Sequence, residues 1–311
     1  MTGLVYGDIY LQHTVAKGHP ETPQRLAAII ERLKQQKMYD RLVLIEPRNA
    51  EIEWLTGIHD PRYVQRAQAA CERGDSQLDC PDVPISARSY DVAIAAAGGV
   101  MAAVDAVMSG KVENAFCAIR PPGHHALKNE AMGFCIFNNV AIAARYIQKK
   151  HKLSRVLIVD WDVHHGNGTQ AAFYNDPTVF YFSAHRSPFY PGTGSESETG
   201  VGKGEGFTLN VEMAAGATDA DYIKAFRDKL PPAAQSFKPD FVLVSAGFDA
   251  HESDPLGKMK VTAKGYAELT RIVKGVADRH AHGRLVTVLE GGYDLAGLAA
   301  SVEAHLGALM E

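Results

Sequence analysis

Eight short aliphatic and aromatic runs, at residues 4–6, 42–45, 115–119, 155–159, 179–182, 207–211, 241–245 and 285–289, alternate with longer amphipathic stretches. Several runs are apolar at odd and even positions alike. That pattern suits a strand covered on both faces, as in a parallel sheet whose crossover helices lie above and below it. No other feature limits the fold so tightly: the alternation predicts an α/β fold on one mostly parallel sheet flanked by helices on both faces.

Helix ends are legible between the runs. Thr22 and Pro23 are placed to cap and start a helix whose apolar positions 26, 29, 30 and 33 follow helical spacing. Asp60-Pro61 begins another, and Gly110 closes a long one starting near Ser89. "TDADYIKAFRDKL", "TAKGYAELTRIVKGVADRH" and "LAGLAASVEAHLGALM" complete the predicted set. No repeat, low-complexity tract or linker divides residues 1–311, so a single domain is expected.

Composition narrows the partners. A net charge of −4 with no Lys/Arg block gives a polyanion nothing to bind, so nucleic acid is not an expected ligand. The apolar stretch "VAIAAAGGVMAAVDAVM" is Ala/Gly-rich and interrupted by Asp105, which reads as a buried helix and not a membrane span. The N-terminus has no signal-peptide pattern. Cys71, Cys80, Cys117 and Cys135 show no C-x-x-C pairing, so reduced thiols in a cytoplasmic setting are expected.

The polar residues fall in a pattern. "AFCAI" runs into "RPPGHHA", "RVLIV" into "DWDVHHG", "FVLVS" into "AGFDAH" and "LVTVL" into "EGGYD". Ligands of open α/β sheets bind outside the C-terminal strand ends, so these four loops should converge on one edge. Asp162 and His164, two residues apart at a strand end, point to one side and can reach a single ion. A hydrogen-bonded Asp–His pair explains D-x-H alone equally well; Asp249 supplies the third ligand that favours a metal. One imidazole and two carboxylates leave a position open, as in catalytic zinc sites, and Fe(II) or Co(II) also fits an N/O set. His165 has the opposite parity and should face away. His124 and His125 can serve as proton donor and acceptor beside such a metal, with Asp160 and Asn167 placed to set their tautomers. Tyr293, after two glycines, can donate to a developing oxyanion.

These segments, with "GFCIFNN", "SAGFDAHESDPLG" and the N-terminal "HPETPQRL", resemble the zinc-dependent histone deacetylase superfamily, nearest its class II branch and bacterial amidohydrolase relatives. The match spans residues 13 to 297. The resemblance implies the arginase/deacetylase fold with a central eight-stranded parallel sheet, and hydrolysis of acyl-lysine amides. It implies zinc ligands Asp162, His164 and Asp249, with His125 as general base and acid, His124 beside it, and Tyr293 polarising the carbonyl. Asp160 matches the partner of His124. Asn167 stands where one branch has Asp, and a neutral amide raises the basicity of His125 less than a carboxylate does. A structural potassium site is implied at Asp160, Asp162, His164, Ser183 and Ala184, and Phe173 falls in a second. Gly133 and Phe134 match one wall of an acyl-lysine tunnel, with Leu256 and Gly292 also along the substrate. Tyr190 matches the opposite wall, where eukaryotic relatives usually carry Phe. Arg25 lines an internal pocket beneath the metal. Hydroxamate-type inhibitors are expected to bind.

Three rivals are weighed against this reading. An acetylpolyamine amidohydrolase shares the chemistry, but Leu256 stands where the eukaryotic polyamine enzymes carry an acidic residue. A binuclear manganese ureohydrolase shares the fold but needs acidic residues where this chain has Gly166 and His251. A silent acyl-lysine binder would not need the ligands, both histidines and the tyrosine together.

Overall fold

The computed structural model describes residues 1–311, and all eight runs are strands: β1 (Thr2–Val5), β2 (Val43–Ile45), β3 (Asn114–Cys117), β4 (Val156–Asp160), β5 (Val179–Arg186), β6 (Thr208–Met213), β7 (Phe241–Ala246) and β8 (Leu285–Leu289). They form one parallel sheet in the order β2-β1-β3-β8-β7-β4-β5-β6. The central strands β3, β4, β7 and β8 are buried at every residue, which is why they read as apolar on both parities.

Nine helices cover the sheet: α1 (Gln24–Gln35), α2 (Ile52–Leu55), α3 (Pro61–Arg73), α4 (Ser89–Met108), α5 (Asn139–Lys150), α6 (Asn167–Phe173), α7 (Asp219–Phe237), α8 (Ala263–His280) and α9 (Leu295–Leu309). In one layer α1 packs on α9, α9 on α8 and α8 on α7; in the other, α4 packs on α3 and α5, and α5 on α2 and α6. Although α4 has the length and composition of a membrane span, it packs inside the molecule against β1, β3 and β8. Gly98 makes that possible, since a Cβ there would stand 2.0 Å from the Arg48 carbonyl oxygen.

Several helix ends differ from the sequence expectation. Pro23, not Thr22, is the cap of α1, and Thr22 contributes only its carbonyl to the Arg25 N–H, because Pro23 already has helical dihedrals. Asp60 caps α3 as expected, accepting the Arg62 N–H at 2.8 Å. The helix expected to end at Leu230 continues as α7 through Pro231 and Pro232. Two lost donors weigh less there than the buried stripe Phe226, Leu230, Ala234 and Phe237. The sequence reading lacked α2, α5 and α6; α6 starts inside "HHGNGT", which its glycines made look like loop.

Sheet order matters more to function than any helix. The four strands whose loops carry histidines, carboxylates and Tyr293 are neighbours, β3-β8-β7-β4. Parallel pairing puts all four C-terminal ends on one edge.

Candidate active site

The loop after β4 turns Asp162 and His164 toward the loop after β7. His164 Nδ1 lies 3.0 Å from Asp162 Oδ1 and 3.2 Å from Asp249 Oδ2. The remaining carboxylate oxygens are held by backbone: Asp162 Oδ2 accepts the Gly291 N–H at 2.8 Å, and Asp249 Oδ1 accepts the Val163 N–H at 2.8 Å. The ligand atoms of these three residues lie within 4.8 Å of one another.

Three observations fit this set to a cation. Asp249 Oδ2 is buried and, beyond the ion-pair contact with His164 at 3.2 Å, makes no hydrogen bond, an unusual state for a carboxylate oxygen. A Cβ on Gly291 would stand 2.2 Å from that oxygen and 2.7 Å from Asp162 Oδ2, so glycine keeps the space clear. The carboxylates also demand positive charge. Burial, reinforced by Asp162, pushes Asp249 up to about 7. Burial disfavours the charged form of His164, yet Asp162 and Asp249 raise it to about 9. Metal-site chemistry inverts this arrangement, a cation replacing the proton that the pair holds at Nδ1.

The two histidines after β3 are placed by a residue to which the sequence alone assigns no role. Glu290, last before the glycines of "EGGYD", accepts the N–H groups of Gly123 at 2.6 Å and His124 at 3.2 Å. Its other oxygen accepts the Ser245 hydroxyl at 3.1 Å, so β7 and β8 together fix the histidine loop.

The rings of His124 and His125 lie 4.0 Å apart, tilted at 45°, and their surroundings push them in opposite directions. His124 Nδ1 donates to Asp160 Oδ2 at 3.0 Å, and Tyr181 donates to the same oxygen at 3.0 Å. Burial opposes a charge on His124, but Asp160, Asp162 and Glu290 outweigh it and raise the imidazole to about 10. His125 Nδ1 donates to Asn167 Oδ1 at 2.7 Å. Burial, then the charges on His124 and His164, lower His125 well below the usual range. The surroundings thus favour the imidazolium at His124 and the neutral base at His125. Asn167 sits at the first position of α6, and its amide nitrogen contacts Met132 Sδ at 3.1 Å, turning its oxygen toward His125.

Tyr293 follows Gly292, whose φ of 120° few other residues adopt. Its N–H donates to Asp254 Oδ2 at 2.8 Å, while Asp254 Oδ1 accepts from Leu256 and Gly257 at 2.9 and 3.0 Å. Asp254, also unassigned by the sequence reading, therefore ties Leu256 and Tyr293 together. Desolvation and Asp249 raise the phenol well above its ordinary value, so it stays an O–H donor. Arg25 is fully buried 5.1 Å from the Tyr293 ring and donates to the carbonyls of Gly292 and Glu290 at 2.6 and 2.5 Å.

A cavity of about 280 Å³ opens onto this constellation, lined by Asp82, His125, Gly133, Phe134, His164, Tyr190, Leu256 and Tyr293. All but Asp82 are residues singled out in the sequence. Gly133 lies over the His125 ring, where a Cβ would come within 2.2 Å. His165 faces away, bonded to Thr193 and Gln170 at 2.8 and 2.9 Å.

Residues 19–309 match the family described as the histone deacetylase domain. The chain belongs to the histone deacetylase family. It is 41% identical over 299 residues to a probable deacetylase of Archaeoglobus fulgidus, covering 96% of this chain and 82% of that protein. It is 39% identical over 345 residues to human histone deacetylase 9; the match takes in 99% of this chain but spans only 34% of the human protein. The crystal structure of the HDA15 HD domain superposes with a TM-score of 0.94 at 38% identity, covering 99% of this chain and 89% of that one. This histone deacetylase family member is a hydrolase acting on amides, a deacetylase.

For the deacetylase, the expected potassium ligands fall in two places. Asp160, the last residue of β4, pairs in register with Ser183 on β5, next to Ala184, while Asp162 and His164 follow in the loop after β4. Phe173 is at the last position of α6, its ring 4.8 Å from the Arg145 guanidinium.

Proposed function

We propose that this deacetylase removes acetyl and other acyl groups from the side-chain amine of lysine in proteins or peptides, with zinc held by Asp162, His164 and Asp249. The observation that carries the reading is the cluster of Asp162, His164 and Asp249, one of whose members, His164, lines a cavity whose walls also present His125 and Tyr293. When bound, zinc supplies Lewis-acid polarisation of the acyl oxygen and acidifies a water.

The chain's own groups do the rest. His125, its Nδ1–H committed to Asn167, takes the proton of the attacking water at Nε2. Tyr293 donates its O–H to the acyl oxygen as negative charge develops there. The proton on His125 then passes to the leaving amine, and His124, beside it, is the other donor in reach. Phe134, Tyr190 and Leu256 exclude water from the alkyl chain, with Gly133 and Gly292 letting backbone approach it. Arg25 positions Tyr293 from beneath. The carbonyls of Asp160, Asp162, His164 and Ala184, with Ser183, would hold a structural potassium, and Phe173 a second. The four free thiols accord with a cytoplasmic setting.

Purified protein is expected to carry about one transition metal per chain. Chelation should abolish hydrolysis of a fluorogenic acetyl-lysine peptide, and a hydroxamate should inhibit it. Full activity in Asp249→Ala would overturn the ligand assignment. One observation favours a second reading, an acetylated polyamine: the Asp82 carboxylate lines the cavity and suits a cationic carrier. Comparing kcat/KM for acetyl-lysine peptides, acetylspermidine and acetylputrescine separates the two.

A further inference from the structure

A single carboxylate bridges the two walls of the cavity. Asp82, in the loop between α3 and α4, accepts the Gly133 N–H at 3.1 Å from one wall. The same oxygen accepts the Tyr190 hydroxyl at 3.1 Å from the other, and its second oxygen accepts the Cys80 thiol at 2.7 Å. The loop is itself anchored: Asp79 accepts the Ala131 N–H at 2.8 Å and pairs with Arg66 through both carboxylate oxygens at 3.0 and 3.1 Å.

Tyr190 spans the depth of the cavity. Its ring meets the edges of His125 and His164, centroids 5.2 and 6.0 Å away, while its hydroxyl reaches Asp82. The residue is 39% exposed, so its outer end lies at the surface. Phenylalanine, the residue the family resemblance leads one to expect at 190, has no hydroxyl to donate.

We propose that Asp82 and Tyr190 form a clasp across the cavity mouth that measures the carbon spacer between the acylated nitrogen and the branched main chain of the substrate. The inference rests on the acyl-lysine reading above. Lysine offers a slender rod of four methylenes. An ornithine spacer is one methylene shorter, so its main chain must enter the mouth before its amide reaches the same depth. With both walls bonded to one fixed carboxylate, the mouth widens only by breaking a charge-assisted hydrogen bond. Asp82 and Tyr190 are then specificity-determining residues of the same site.

The test compares matched peptides carrying Nε-acetyllysine or Nδ-acetylornithine, with kcat and KM measured separately. Wild type should strongly prefer acetyllysine. Tyr190→Phe should cut that preference about fivefold, chiefly by lowering KM for the ornithine peptide. Asp82→Ala should cut it at least as much, since it also frees the Gly133 N–H, and the double variant should lose no more than Asp82→Ala, because Tyr190 then has no partner left to lose. Asp82→Asn keeps an acceptor oxygen and should retain the preference. An unchanged preference in Tyr190→Phe, or additive losses in the double variant, overturns the clasp. Thermal unfolding of the same variants runs alongside, and Tyr190→Phe alone decides the matter should Asp82→Ala fail to fold. If wild type hydrolyses neither peptide, the acyl-lysine reading falls and the ruler with it, while coupling in the unfolding cycle still shows whether the bond exists.

Discussion

At the scale of single residues, the site turns on two adjacent imidazoles whose surroundings favour opposite protonation states. Both are buried, and the sequence places them side by side without distinguishing them. Their partners differ: Asp160 is a carboxylate and Asn167 an amide. The amide leaves His125 easy to deprotonate, so activity should persist to low pH and fall only when His125 takes a proton. Asn167→Asp adds a negative charge beside Nδ1 and favours the imidazolium. The acidic limb of the kcat/KM profile should therefore move to higher pH, by about one unit. A shift in the opposite direction would show that Asn167 does not bond His125 in the working enzyme.

At the scale of elements, β8 and its neighbours explain a histidine that plays no catalytic part. His305 on α9 is fully buried, Nδ1 2.7 Å from Thr270 on α8 and Nε2 2.9 Å from Thr287 on β8. Thr270 already donates to the Tyr266 carbonyl, so it accepts from Nδ1–H; the Thr287 hydroxyl lies 2.9 Å from Nε2 and 3.3 Å from the Ala115 carbonyl, and given over the shorter contact its single proton goes to Nε2. Both partners thus suit a neutral ring, and burial lowers His305 to about 3. A depressed pKa contributes stability above the unfolded value, near 6.5, that is lost as pH falls toward the folded one. Against His305→Gln, the wild type should be more stable at pH 7 by about 1–3 kcal/mol. That advantage should shrink steadily between pH 6.5 and 4 in paired urea melts. A pH-independent difference would refute the neutral-ring assignment.

The whole molecule assembles the proposed metal site from segments far apart in the chain. Asp162 and His164 come from the loop after β4, Asp249 from the loop after β7, and the glycine that clears space from the loop after β8. A cation bound there crosslinks the folded state and has no comparable site in the unfolded chain. Stripping the metal should lower the melting temperature by several degrees, and Zn²⁺ should restore it in a concentration-dependent way. In Asp249→Ala the added metal should leave the melting temperature unmoved.

Much of this was written in local pattern. The four central strands are legible because burial on both faces leaves an apolar run, and the loop that follows each of them carries its polar residues. Asp162 and His164 stand out as a pair by their spacing, but β4 ends at Asp160, so the loop and not strand parity sets their shared direction. Helix α6 was not legible, since glycines at 166 and 168 resemble a loop until close packing on Ala126 explains the second of them. Glu290, Asp254 and Asp82 gave no signal because each acts by accepting backbone or hydroxyl donors from distant loops. The sequence by itself determined the fold class, the family and the reacting residue types, because those depend on periodicity and on motifs within a few positions. Only the tertiary structure decided which histidine has a carboxylate partner and which an amide, which carboxylates meet His164, and which residue bonds to both cavity walls. Those properties arise between residues that strand order, not chain order, makes neighbours.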